Sequence, residues 1–392
     1  MGGVNLRTGF WISQKFVKRD ELHRIVQWQK DSMVENKHTL RICYLNITDH
    51  IPARDVVYLK GFKECGAEII DIRDSSPGLK KILNIYRRHR ALKGEYDIVL
   101  VGYMAQILVP FARLITSKPV IFNALGTISE GVISRRQNSI FSLKVLYLWI
   151  LDYLAFHSAL LSLIDNNVLI RHIVKKFLVP HAKLLRAWTG VDEDSFFYDQ
   201  SIPKLPHFTV LFRGDLANDS GIQHLAAVAK NLATTDIRFR ILGRGPMAET
   251  LEKILQTFDS KNVEWVQERL SIVDLRRKMQ ETHLSIGWLS GGVRAANSVP
   301  HKTFESLALK LPFLQARQPA MLELFEENTN ALFCDPDDVE GLTNIITALR
   351  KDPARLQKIA ENGHQLFDRI LRPKQLAQGV LDHLAERKFI HR

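Results

Sequence analysis

Lys302 and Glu305 stand one helical turn apart in the stretch Asn297-Ser-Val-Pro-His-Lys-Thr-Phe-Glu305, which runs on through Leu307, Ala308 and Leu311 to Pro312. Ser298 reads as an N-cap and Pro300 as a first-turn residue, where a missing N–H costs nothing. Phe304, Leu307, Ala308 and Leu311 recur at i, i+3, i+4 and i+7, an apolar stripe for packing under a sheet. A lysine this near a helix start adds its charge to unpaired N–H groups and to the positive end of the dipole. That is a site for an anion. A carboxylate one turn deeper can accept hydrogen bonds from two neighbouring hydroxyls, as on a ribose. The competing reading is an i, i+3 surface ion pair with no ligand.

Three glycine-bearing loops follow expected strands in the same half of the chain. Gly214 follows Phe208–Arg213, and Gly243-Arg-Gly-Pro246 follows Arg238–Leu242. Gly291-Gly292 follows Leu284–Leu289. Glycine at a strand-to-helix turn lets backbone N–H groups approach a phosphate without a Cβ in the way. One such loop is only a tight turn. Three on one sheet edge, beside Lys302 and Glu305, make a phosphate-binding rim. Arg244 is then either a phosphate contact or a solvated loop charge, and His301 a sugar contact or a helix-surface histidine. Asp192 reads as the cap of the turn after Gly190. Arg54 and Arg135-Arg136 are either surface charge or cleft residues.

The elements that must position these groups come in two alternating series. Leu40–Ile47, Ala67–Ile72, Tyr96–Gly102, Pro119–Asn123, Leu160–Asp165 and Lys183–Trp188 read as strands, with helices at Asp55–Cys65 and Leu79–Leu92. Short apolar runs bounded by glycine, alternating with helices, imply parallel sheets covered on both faces. Ala187–Phe197, with Pro203 and Pro206, breaks the rhythm. The second series starts at Phe208 and ends with the strand Ala331–Cys334. The expected division is an extension over 1–38 with a helix at Asp20–Glu35, then domains over 39–198 and 199–370. A last segment over 371–392 carries the helix Leu376–Glu386, which packs back on the first domain.

A chain of 392 residues, 46% hydrophobic, is long enough for two such cores. Cys43, Cys65 and Cys334 are scattered without CxxC spacing, which argues against a zinc site or a disulfide framework. The net charge of +12 is concentrated in the first half, with its densest run at Arg87-Arg-His-Arg90. A basic helix of this kind suits anionic lipid headgroups or nucleic acid, or is a solvated face. No arginine-rich tract or aromatic platform supports nucleic acid. Met1–Lys18 has no apolar core of signal-peptide type. Phe141–Ile164 is long enough to span a bilayer, but Lys144, Asp152 and His157 interrupt it. An amphipathic helix, buried or lying at an interface and running into the strand at Leu160, is the expectation.

In order along the chain, Leu211-Phe-Arg-Gly214 with Gly221-Ile222, Ile241-Leu-Gly-Arg-Gly-Pro246, Asn262-Val-Glu-Trp265, Val299-Pro-His-Lys-Thr-Phe-Glu305 and Asn330-Ala-Leu-Phe-Cys-Asp-Pro336 carry a resemblance. As a set they resemble the donor-binding domain of the group 1 glycosyltransferases, family 4 of the retaining GT-B enzymes. The first half resembles the family through Tyr96–Gly102 and Gly190-Val-Asp192. The sequence departs from the family at four positions. Asn297 stands where the first of two paired glutamates falls, and Asp215 and Ser220 stand where basic residues face the donor diphosphate. Asn123 stands where an acceptor-side histidine is common.

The resemblance implies an α/β GT-B fold, two doubly wound Rossmann-like domains facing a central cleft. It implies a metal-independent hexosyltransferase, with no cofactor beyond a UDP- or GDP-linked sugar as substrate. The acceptor is a glycan or a lipid-linked molecule, in cell-surface polysaccharide or glycolipid synthesis. Gly214, Gly243, Gly245, Arg244, Lys302 and Glu305 are the expected donor-binding residues, with Asn297 and His301 as candidate sugar contacts. No catalytic base is assignable. The basic first half fits a cytoplasmic protein with peripheral contact to an anionic membrane. The alternative is a non-catalytic GT-B protein that binds a nucleotide or sugar.

Overall fold

Ile98-Val-Leu-Val101 and Leu161-Ser-Leu-Ile164 have every residue buried, as strands covered on both faces must. The computed structural model describes residues 39–134 and 142–390. The extension over 1–38, its expected helix and Arg135-Arg136 lie outside the described residues.

The first half runs β1 (Arg41–Asn46), α1 (Ala53–Glu64), β2 (Glu68–Arg73), α2 (Lys80–Ala91), β3 (Ile98–Val101), α3 (Leu108–Ile115) and β4 (Val120–Leu125). It continues through α4 (Ile128–Ser134), α5 (Leu143–Ser158), β5 (Leu161–Ile164), α6 (Asn167–Phe177) and β6 (Leu184–Arg186). These strands form a parallel sheet in the order β2-β1-β3-β4-β5-β6.

The second half runs β7 (Thr209–Arg213), α7 (Ile222–Asn231), β8 (Arg238–Leu242), α8 (Ala248–Leu255), β9 (Val263–Val266), α9 (Ile272–Gln280) and β10 (Leu284–Ile286). Then come α10 (Val293–Ala296), α11 (His301–Ala308), β11 (Phe313–Ala316), β12 (Leu332–Cys334), α12 (Val339–Arg350), α13 (Pro353–Leu366) and α14 (Pro373–Glu386). Its sheet is again parallel, in the order β12-β11-β10-β7-β8-β9. Strand order reverses between β1 and β3 in one sheet and between β7 and β10 in the other. Ligands of such sheets bind beyond the carboxyl ends at these reversals.

The chain returns to the first half at its end, where α14 lies on α1. Gly61 makes the approach close: a Cβ there would sit 2.0 Å from the Pro373 carbonyl oxygen. Between the sheets, Asp192 accepts from the Ser195 hydroxyl at 2.6 Å and from Lys60 at 3.1 Å, so it caps its turn and also holds a cation.

One local expectation is corrected. Ser298 is not the cap of the helix that carries Lys302; Pro300 takes that position with ψ of 141°, and α11 starts at His301. The apolar segment is a helix that runs into β5, as expected. Ser142 caps α5 by accepting from the Val145 N–H at 3.3 Å, and the helix ends at Ser158. Among the described residues no helix is long and apolar enough to cross a membrane. Val145, Asp152, Ala155 and Phe156 of α5 face inward, while Leu143, Leu146, Tyr147, Ile150 and Leu154 are exposed.

Candidate active site

Arg213 ends β7, and Gly287 follows β10, so both stand at the reversal point of the second sheet. The apolar stripe of α11 buries Phe304, Leu307 and Ala308 and brings Lys302 and Glu305 to the same point. Both are buried, which rules out a surface ion pair. The carboxylate of Glu305 pairs with Arg213 at 3.2 Å. Lys302 donates to the Gly287 carbonyl at 3.2 Å and holds its ammonium 3.7 Å from the centroid of the Phe212 ring. Burial pushes the Lys302 pKa well below its usual range, the charge of Arg213 adds to that, and Glu305 opposes it. Burial likewise raises the pKa of Glu305 against the attraction of Arg213 and Lys302. The second carboxylate oxygen, Oε2, is buried without a hydrogen-bond partner. A buried acceptor left open in this way calls for a donor from outside the chain.

The glycine loops lie beside this cluster, and two of their amides are engaged within the sheet. The Gly214 amide donates to the Leu242 carbonyl at 2.9 Å and the Gly243 amide to that of Val266 at 3.0 Å. Both N–H groups extend the ladder of β7, β8 and β9 and are not turned to a phosphate. Gly214 has a φ of 134° and a Cβ on it would meet nothing within 4 Å, whereas Gly243 serves close packing, since a Cβ there would lie 2.0 Å from the Gly214 carbonyl oxygen. Gly245 packs likewise, with a Cβ there falling 2.5 Å from Asp215 Oδ1. Arg244 is exposed on this loop, and its carbonyl accepts from the Leu216 N–H at 3.0 Å.

A cavity of about 220 Å³ opens between the halves. Tyr103, Leu125, Gly126 and Asp165 line it from the first half, and Trp288, Arg294, Asn297 and His301 from the second. The amino end of α11 points into it through Val299 and Pro300. Asn297 and His301, the two candidate sugar contacts, therefore meet in one place. His301 is half-buried there, and burial, reinforced by Arg54 and Arg213, lowers its pKa to about 3. It is a neutral ring at physiological pH. Arg294 pairs with Asp219 at 2.7 Å and lies 5.0 Å from the Trp288 ring centroid.

Behind the cavity stands a buried polar relay. Arg54 donates to Asn123 Oδ1 at 2.7 Å, to the Ala187 carbonyl at 2.8 Å and to Thr189 Oγ1 at 3.2 Å. Asn123 in turn donates to Asp55 at 2.6 Å, and Thr189 to Asp165 at 2.7 Å. Arg54 is thus a buried girder and not surface charge. Arg213 and Asp165 are the site residues that sequence reasoning missed. Arg213 had one readable signal, a charged residue ending an apolar strand at the carboxyl edge.

Residues 223–382 match the family described as glycosyl transferase-like. No curated protein matches the chain. Among solved structures, HepE of Anabaena, in complex with UDP and glucose, aligns with a TM-score of 0.68 at 16% identity, over 88% of this chain and 100% of that one. Sucrose-phosphate synthase from Thermosynechococcus elongatus aligns with a TM-score of 0.69 at 12% identity, over 89% and 99%. A glycosyltransferase from Rickettsia africae gives 0.65 at 13% identity, over 89% and 98%. The fold is GT-B, and within it residues 223–382 match the glycosyl transferase-like family.

Proposed function

We propose that this protein is a retaining glycosyltransferase that moves a hexosyl unit from a nucleotide-sugar to a glycan or lipid-linked acceptor, in cell-surface polysaccharide or glycolipid synthesis. One observation carries the reading. Glu305 is buried at the sheet's reversal point, with one oxygen on Arg213 and the other open to a donor. A ribose hydroxyl supplies that donor. The complexes of HepE with UDP and with UDP-glucose favour a uridine-linked donor.

As the sugar–phosphate bond breaks, negative charge grows on the departing diphosphate. Arg213, Lys302 and the amino end of α11 are placed to meet it, and a well-aimed donor of this sort contributes about 3 kcal/mol. With these cations in place no bound metal or cofactor is required. Asn297 and His301 hold the sugar in the cavity, and the first half receives the acceptor. A groove lined by Leu79 and Lys81 of the α2 region and by Tyr147 and Leu151 of α5 supports a membrane-facing side on that half. Peripheral attachment at a cytoplasmic leaflet brings a lipid-linked acceptor within reach.

A second reading is a nucleotide- or sugar-binding protein without turnover. The engaged amides of Gly214 and Gly243 and the amide side chain of Asn297 in the cavity favour it. Calorimetry with UDP, GDP and uridine, beside Lys302→Ala, tests the donor site. UDP binding that falls far more than uridine binding in the variant supports it, and equal losses refute the phosphate role. Sugar release or transfer from a UDP-sugar panel, with and without a chelator, then separates enzyme from binding protein.

A further inference from the structure

The second half carries another pocket, at the end opposite the cavity described above. It opens at the amino ends of the strands, where Phe208 precedes β7, His283 precedes β10 and Pro312 precedes β11. Its volume is about 420 Å³, within the roughly 300–1,000 Å³ of small-molecule sites. One wall is the segment joining the two sheets, through Tyr198 and Lys204, and the facing wall is Leu356 and Ala360 of α13.

The floor is apolar and the rim donates. Lys204 exposes its stem but tucks its ammonium against the carbonyls of Gln280 at 2.8 Å and Thr282 at 2.6 Å. An ammonium has three donors, so one is left for a ligand. Desolvation of that head lowers its pKa to about 8. His283 accepts the Thr209 N–H on Nδ1 at 3.1 Å, which places the ring proton on Nε2 and makes that nitrogen a donor. Burial, and then the charge of Lys204, lowers its pKa to about 4 and keeps it neutral. The His283 ring packs on Phe208 with centroids 5.3 Å apart. Lys310 lies 4.9 Å from the Tyr198 ring centroid. Arg350 is held by Asp236, and Glu361, the one carboxylate in the lining, is exposed.

Three donors over an apolar, aromatic floor recognise a compact molecule with a flat hydrocarbon body and a single negative group. We propose that this pocket is a second ligand site, for a small aryl carboxylate clamped between the inter-sheet segment and α13. The ring rests on Phe208 and Leu356, and the carboxylate takes the donors of Lys204, His283 and Lys310. An occupant ties Tyr198 and Lys204 to the body of the second half.

The probe is 3-phenylpropionate, with 3-phenylpropionamide as its neutral counterpart, added to the full chain. Calorimetry measures affinity, and amide hydrogen exchange reports on residues 198–208. The carboxylate is expected to bind in the millimolar range or tighter, about tenfold more tightly than the amide, and to slow exchange across 198–208. Lys310→Gln, a folded variant by its thermal transition, should weaken binding severalfold, as should Lys204→Gln. Equal binding of the amide, no binding at millimolar concentration, binding unchanged in Lys310→Gln, or displacement of the probe by UDP each overturns the proposal.

Discussion

Glu323 caps α6 from the opposite side of the cleft: its carboxylate accepts from the N–H groups of Asn167 at 2.8 Å and Val168 at 2.5 Å. Two further bonds cross beside it. Asn166 donates to the Asn297 carbonyl at 2.9 Å, and the Val299 N–H donates to Asp165 at 3.4 Å. An acid at a helix start satisfies orphan donors and meets the positive end of the dipole. The two halves are therefore latched at the rim of the cavity itself.

Removing the acid in Glu323→Ala should loosen this latch. The expected result is a larger radius of gyration in solution scattering and a loss of about 1–3 kcal/mol in denaturant unfolding. Glu323→Gln should fall between. If both radius and stability are unchanged, the latch contributes nothing.

The Arg213–Glu305 pair makes an asymmetric prediction. Glu305→Gln should weaken nucleotide binding about tenfold with little loss of stability. Arg213→Gln should weaken binding similarly and also destabilise by about 1–3 kcal/mol, because it leaves a buried carboxylate without its cation. Calorimetry and thermal unfolding on the same preparations check both. Equal stabilities for the two variants would mean that the ion pair does not hold Glu305.

Much of the architecture was readable because buried parallel strands announce themselves locally. Tyr96–Gly102 and Phe208–Arg213 are apolar runs too short for helices, and the structure places β3 and β7 within them. The start of α11 was misread for a reason no local pattern holds. Asn297 to Val299 is pinned by Asn166 and Asp165, some 130 residues earlier in sequence, so the chain cannot turn helical at Ser298. The glycine loops have two amides that depend on distant partners in the same way. Their spacing suits a phosphate, but Leu242 and Val266 take the amides of Gly214 and Gly243.

Those loops give the next test. Gly243→Ala would drive its Cβ into the Gly214 carbonyl, at 2.0 Å, and should cost about 1–3 kcal/mol as overpacking does. Gly379→Ala on α14 is the control, since a Cβ there meets nothing within 4 Å. It should be neutral or stabilising by about 0.5–1 kcal/mol, as alanine is in a helix. Thermal shifts of one sign for both would undo the argument.

Glu130, on the cavity wall, gives a pH dependence. Burial would raise its pKa, but hydrogen bonds from His172 and Lys176 prevail and bring it from 4.5 to about 2. A carboxylate depressed in the folded state stabilises fully above its unfolded pKa and loses that contribution as pH falls toward the folded value. The scale is about 3 kcal/mol. The stability gap between wild type and Glu130→Gln should therefore be wide at neutral pH and narrow steadily as pH is lowered from about 5 to 3. A constant gap would show that the carboxylate's charge is irrelevant.

Membrane attachment should depend on both apolar and basic groups of the first half. Arg88 donates to the carbonyls of Arg73 and Asp71 and so serves the fold. The useful variants are Arg87→Ala with Arg90→Ala, and Leu146→Asp with Ile150→Asp on the exposed face of α5. Each pair should reduce co-sedimentation with anionic vesicles, the first pair more at low salt than at high. Equal binding to neutral and anionic lipid would exclude the charge contribution.

The return of α14 to α1 has a consequence for the newborn chain. Cys65 meets the Lys374 carbonyl across 309 residues of sequence, and Tyr58, Phe62, Ala377 and Leu381 share one core. The ribosome delivers the first half early, but the helix that covers α1 emerges some 300 residues later. At roughly 5–20 residues per second, that face stays uncovered for on the order of half a minute. A chain cut short before Pro373 would carry both sheets and still display this naked face, a natural mark for chaperones and quality control.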